Sequence, residues 1–224
     1  VNYELVTVES RVLQVNAKSY PDLFWALKGG STNFGIVTKY DLEVYPLLDV
    51  YAGFVFQDEA NIPGLIDAIS SFVDPKNGGA LNDLGALDAT LTYDAASGTS
   101  SGMTMIFYNG SGPAGPATFV NFTKLPSTTS TLAQRGFTNW ISETASFGNT
   151  KTRKLWASFS VKATPEAVRL VYGIYQEAVP RFRKVTNGTF TCTFQPFTQS
   201  FLDTANRNGD FAISLDPNDG PLIG

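Results

Sequence analysis

Asn16-Ala-Lys-Ser-Tyr-Pro21-Asp-Leu-Phe-Trp-Ala-Leu-Lys28-Gly29-Gly30-Ser-Thr-Asn33-Phe-Gly35-Ile36-Val37-Thr38 is the stretch whose reading decides the fold. Pro21 suits the first turn of a helix, where its missing N–H costs nothing, and Gly29-Gly30 ends that helix. Asn33-Phe34-Gly35 then leads into an alternating run, Ile36–Val44, that reads as a strand closed by Pro46. The order is helix, glycine loop, strand. A Rossmann site has the reverse order, with the loop opening a helix whose N-terminus takes the pyrophosphate. No G-x-x-x-x-G-K occurs, which excludes a P-loop. On their own the glycines read as punctuation between elements. Their backbone freedom also lets a main chain pass close to a ligand.

Upstream, Tyr3–Val8 and Arg11–Val15 are β-like runs split by Glu9-Ser10, the pattern of a tight hairpin. Downstream a boundary is expected near residue 46, dividing 1–46 from 47–224. In the second part Val50–Phe56 reads as a strand. Ile62, Leu65, Ile66, Ile69, Phe72 and Val73 recur at helical spacing. Ala89–Asp94 and Met103–Tyr108 alternate as strands around a Gly/Ser loop, and residues 110–135, rich in Gly, Pro, Ser and Thr, hold short helices at best. Leu155–Val161 reads as a strand, Thr164-Pro165 opens a helix running to Val179, Thr189–Phe194 is a further strand, and the C-terminal residues are turn-rich. Helices interleaved with hairpin-like strand pairs predict an α+β fold with a largely antiparallel sheet and flanking helices. Trp25, Trp140 and Trp156 sit within element-like patterns and are expected in the core, which counts against a carbohydrate-binding module that would display them.

Composition narrows the chemistry. The net charge is −4 and Arg181, Arg183 and Lys184 form only a short basic cluster, so no nucleic-acid partner is expected. No apolar run reaches the ~18 residues of a membrane span. The chain has no histidine and one cysteine, Cys192. Ser-His-Asp and Cys-His catalysis and the usual zinc sites are therefore excluded, and no metal site is expected. Gly98-Thr-Ser100-Ser-Gly102 matches G-x-S-x-G, but its strand-like flanks make it a hairpin loop rather than a nucleophile elbow. Asp203…Asp210 and Asp216-Pro-Asn218-Asp219-Gly220 lack the spacing of a calcium loop and read as turns. Three acceptor sequons, at Asn109, Asn121 and Asn187, with low charge, predict a secreted glycoprotein. Val1 opens directly into a strand-like segment, as in a processed or incomplete chain.

The quoted stretch resembles a signature of the FAD-linked oxidases, which have the PCMH-type flavin fold of vanillyl-alcohol oxidase; the nearest resemblance is to fungal berberine-bridge-enzyme-like oxidases. That signature runs N-x-D-L-F-W-A-L-R-G-G-G-x-N-F-G-I-V-T, and this chain departs from it at Lys28 for Arg and Ser31 for the third Gly. The resemblance implies that 1–46 is the C-terminal part of an FAD-binding domain and 47–224 a substrate domain truncated at its C-terminus. It implies cofactor contacts from Gly29, Gly30, Asn33, Gly35, Ile36 and Val37, with the backbone of the last three along the adenosine side of FAD. More loosely, Thr193-Phe-Gln195-Pro196, Ser200-Phe-Leu, Asn208-Gly209 and Asp219-Gly-Pro-Leu222 are similar to the family's substrate-domain stretch, though Asp210-Phe211 replaces its usual Gly-Asn. Gln195 is the implied substrate-facing residue; Tyr93 and Thr193 join it from strand position. The family's N-terminal lobe, with its pyrophosphate loop and flavin-linked His, has no counterpart here, so catalytic residues stay unassigned.

The implied activity is that of a secreted FAD-dependent oxidoreductase, an oxidase of alcohol, sugar or alkaloid-like small molecules by hydride transfer to flavin. FAD belongs to the full-length member and is expected to be absent from, or weakly held by, this chain. Implied partners are the N-terminal flavin lobe or a second copy. The alternative is a stable flavin-free fragment that acts by binding or cytotoxicity.

Overall fold

The computed structural model describes residues 2–47, 49–110, 116–147, 153–207 and 216–224. By its contacts the chain divides into two units, Val1–Pro46 with Ser200–Asp219, and Leu47–Gln199 with Gly220–Gly224. Ser200–Asp219 thus groups with the N-terminal segment, where the sequence placed it in 47–224.

In the first unit β1 (Asn2–Val6) pairs antiparallel with both β2 (Val12–Val15) and β3 (Ile36–Asp41), giving the order β2-β1-β3. Alternation sorts its faces. Asn2, Glu4 and Gln14 share one side and are linked: the Asn2 amide donates to Gln14 at 2.9 Å and the Gln14 amide to Glu4 at 3.0 Å. Tyr3, Leu5, Val15 and Val37 take the other side, where α1 (Pro21–Leu27) packs Phe24 against Tyr3 at 5.5 Å. Between Glu4 and Leu5 the register slips by one, leaving Thr38 as a bulged residue whose hydroxyl donates to Glu4 at 2.8 Å. The strand expected over Ile36–Val44 ends at Asp41, and Leu42, Val44 and Tyr45 are exposed. Among the described residues of 1–46 only Leu5 and Val15 are buried hydrophobics.

The second unit is built on an antiparallel sheet of order β10-β5-β6-β4-β7, with β8 also on β4. Its strands are β4 (Val50–Asp58), β5 (Gly85–Asp94), β6 (Thr99–Tyr108), β7 (Thr129–Ser130), β8 (Ala133–Arg135) and β10 (Thr189–Phe194). One face of β5 buries Leu87, Ala89, Leu91 and Tyr93 under α2 (Ile62–Phe72) and α5 (Pro165–Arg183). α2 brings Ile62, Leu65, Ile66, Ile69 and Phe72 at the spacing read from the sequence, each burial stabilising by about 1.5–3 kcal/mol. It lies so close that a Cβ on Gly102 of β6 would come 2.6 Å from Leu65. α5 begins as expected, with Thr164 Oγ1 accepting the Ala167 N–H at 3.2 Å and Pro165 in its first turn.

The opposite face is half covered. Val50, Ala52 and Phe54 pack with Trp140 of α4 (Phe137–Ser146), and Met103, Met105 and Phe107 border them. α4 is tied down by an Arg135–Glu143 ion pair. Phe137, Trp140 and Ile141 recur at helical spacing there, a signal the sequence reading missed, and the ends carry no side-chain cap. β7 and β8 also lie in the stretch read as short helices, of which α3 (Val120–Thr123) is one. Thr131-Leu132, between them, presses on β4 where only glycine fits: a Cβ on Gly53 would meet Leu132 N at 2.6 Å.

A small sheet, β11-β12-β9, joins Pro196–Phe197, Leu222–Ile223 and Val161–Lys162. The strand expected over Leu155–Val161 is thereby reduced to its last residue and Lys162; Leu155 and Trp156 are 98% and 81% exposed, with no strand among the described residues beside them to pair. Trp25 is also exposed, because α1 buries none of its residues; Trp140 alone of the three tryptophans is in the core. Beyond β11, α6 (Gln199–Arg207) occupies part of the stretch read as turns. Asp216–Gly220 is a turn, with Asp216 accepting the Asn218 N–H at 2.8 Å and Gly220 at φ 77°. No helix among the described residues is long and apolar enough to cross a membrane.

Candidate functional site

In the first unit the signature stretch ends in a pocket of about 290 Å³ lined by Tyr3, Leu27, Ser31, Thr32, Gly35, Ile36, Val37 and Tyr40. Gly35, Ile36 and Val37 come together there. Gly29, Gly30 and Asn33 do not line it: Asn33 donates to the Gly30 carbonyl, and the Gly30 N–H donates to Ala26 O, capping α1. A Cβ on Gly30 would strike Ala26 O and the Phe34 ring, both at 2.4 Å. Gly35 sits at φ 141° against the Val6 carbonyl, so it serves first to let β3 close on β1.

Tyr3 and Tyr40 form the aromatic wall, paired in register with ring centroids 5.5 Å apart. Sequence reasoning passed over both. Their one signal was alternation, which sets Tyr3 on the side of Leu5. Ile36 is 70% exposed at the edge strand of its sheet, leaving an apolar surface beside the pocket.

In the second unit the uncovered half of the large sheet carries Asp88, Thr90 and Thr92 on β5 and Thr189, Thr191 and Thr193 on β10. Thr193 belongs to this open face; its Oγ1 lies 2.9 Å from Thr90 Oγ1. Gln195 is exposed just past β10, its backbone paired both ways with Gly224 at 2.9–3.0 Å. Tyr93 is the correction. It lies on the helix-covered face, 5% exposed, because the period of two that turns Thr92 outward turns Tyr93 inward. Asp88, which the sequence reading missed, is half-buried, and burial holds its carboxyl above the usual carboxylate range. The available signal was an acid at the polar phase of a strongly alternating strand.

No protein-family model matches the chain. It is 33% identical over 221 residues to the FAD-dependent monooxygenase prx3 of Penicillium roqueforti, covering 96% of this chain and 43% of that protein. It is 24% identical over 230 residues to an uncharacterized FAD-linked oxidoreductase of Arthroderma benhamiae, again covering 43% of the relative. Among solved structures, 6-hydroxy-D-nicotine oxidase from Arthrobacter nicotinovorans superposes with a TM-score of 0.58 at 19% identity, over 88% of this chain and 44% of that one. The chain is a relative of the FAD-linked oxidoreductases. It spans under half the length of these relatives, and its α+β fold is that of part of the oxidase structure.

The pocket residues fit part of an FAD molecule. An aromatic wall, an exposed strand edge and a volume near the ~300 Å³ lower bound of ligand pockets suit a planar ring. The pocket lining includes no Lys or Arg, so a diphosphate would find no counter-charge there. The sequon asparagines Asn109, Asn121 and Asn187 are all exposed, with Asn121 donating to Ser71 Oγ at 2.9 Å. Ser111 of the first sequon and Asn208–Phe211 lie outside the described residues.

Proposed function

We propose that this chain supplies one side of the cofactor cradle and the substrate face of a secreted FAD-dependent oxidoreductase. Tyr3, Gly35, Ile36, Val37 and Tyr40 would hold the adenosine end of FAD, and Thr90, Thr193 and Gln195 would meet a small-molecule alcohol, sugar or alkaloid-like donor. FAD, when bound, supplies the hydride acceptor. The observation that carries this reading is the match to an FAD-dependent monooxygenase over 96% of the chain, with the signature's Gly35–Val37 in a pocket. The diphosphate and catalytic groups fall to the remainder of such a protein, which is the proposed partner.

The test is a visible spectrum and an intact mass of one purified sample of the protein from its natural source. Bands near ~370 and ~450 nm with a mass well above 24.2 kDa support the reading. A colourless protein at the mass of this chain overturns it. Enzymatic deglycosylation of the same sample tests secretion, with mass loss expected at Asn109, Asn121 or Asn187.

A second reading, a flavin-free binding fragment, is favoured by the uncharged pocket and by Val8, Ile36, Leu42, Val44 and Tyr45, each at least 70% exposed. Added FAD that leaves the chain's own spectrum and stability unchanged supports this second reading.

A further inference from the structure

The open half of the large sheet carries a single carboxylate at its middle. Asp88 is in register with Met105 of β6; Thr90, two residues along, is in register with Met103 on one side and Thr193 on the other. These side chains share a face, because in-register partners project to the same side. β5, β6 and β10 contain no Lys or Arg. Burial raises the Asp88 pKa, and among the described residues no charge or hydrogen bond acts against it.

A half-buried carboxylate is costly when ionised; a proton relieves that cost, and among ligands a cation does. A neutral hydroxyl would return only a hydrogen bond. An anion would be repelled, by Asp88 and by Asp94 further along the same face of β5. Met103 and Met105 offer adaptable apolar contact beside the acid, and the Thr90–Thr193 hydroxyl pair offers donors and acceptors.

We propose that Asp88 is the specificity-determining residue of this face and recognises the protonated nitrogen of an organic amine whose apolar body lies along Met103 and Met105. The proposal rests on reading this face as the substrate side.

The chain has two methionines, and both are here, so ¹³C-methyl methionine NMR of the chain reports on this face alone. The probes are benzylammonium, benzyl alcohol and phenylacetate. Benzylammonium is expected to shift both methyl signals, with affinity about tenfold lower in Asp88→Asn and partly kept in Asp88→Glu, and phenylacetate to shift neither. Methyl dispersion without ligand, matching the parent chain, shows that each variant is folded. Equal binding of benzylammonium and benzyl alcohol, unchanged in Asp88→Asn, overturns the role of Asp88 while leaving the face as a ligand surface. No shift with any probe overturns the substrate-side reading and the proposal with it.

Discussion

Gly35 faces the Val6 carbonyl so closely that a Cβ built on it would lie 2.4 Å from that oxygen and 3.2 Å from Leu5. With φ at 141°, the position excludes side chains twice over, by contact and by backbone conformation. Gly35→Ala is therefore expected to lower the stability of the β1–β3 sheet by about 2–4 kcal/mol, read by hydrogen exchange at Leu5 and Val37. Loss of flavin affinity in that variant would follow from the damaged sheet. Unchanged exchange with abolished FAD binding would instead make Gly35 a direct cofactor contact.

Ser31 stands where the family signature has its third glycine, and its φ is 54°, the left-handed region. A residue with a Cβ costs roughly 1–2 kcal/mol there, and glycine recovers this less the entropy it adds to the unfolded chain. Ser31→Gly should stabilise the fold by about 0.5–1 kcal/mol in denaturant melts. A destabilised variant would show that the Ser31 hydroxyl contributes more than the backbone strain costs.

The two units should differ in local stability. Only Leu5 and Val15 are buried hydrophobics among the described residues of 1–46, whereas the second unit packs Leu65, Ile69, Leu91, Ile106 and Phe194 into one cluster. Amides of β1–β3 are expected to exchange at least ~100-fold faster than those of β5 and β6, since opening energy follows buried apolar contact. Uniform protection across both units would contradict this.

Burial pushes the Cys192 thiol up to about 11. The unfolded thiol ionises at its ordinary, lower value, so the folded form holds its proton over a pH range where the unfolded form has lost it. The stability contributed is complete below the ordinary thiol pKa and is lost as pH rises through about 11. Two measurements check this: alkylation at pH 8, expected to be slow until denaturant is added, and melts of Cys192→Ala, expected to show a weaker alkaline loss than the parent.

Much of the second unit was legible because its residues state a period. β5 alternates from Leu87 to Tyr93, α2 repeats Ile62, Leu65, Ile66 and Ile69, and Thr164-Pro165 marks a helix start that the Thr164 cap bond realises. α4 carried a period too, at Phe137, Trp140 and Ile141, but no side-chain cap marked its start. Leu155 and Trp156 carry a strand pattern with no strand among the described residues beside them, since β-structure needs a partner that no local pattern supplies.

For the candidate site the division is similar. The sequence alone determined the relation to the FAD-linked oxidoreductases, the α+β class and the run Gly35-Ile36-Val37, because a long motif and local periodicity are written in neighbouring residues. Only the tertiary structure decided that Tyr3 meets Tyr40, that Gly30 caps a helix, and that Tyr93 turns inward while Asp88 and Thr193 turn outward. Those outcomes depend on strand register, on one bulge at Thr38 and on which face the helices cover, and each is set by residues far apart in the chain.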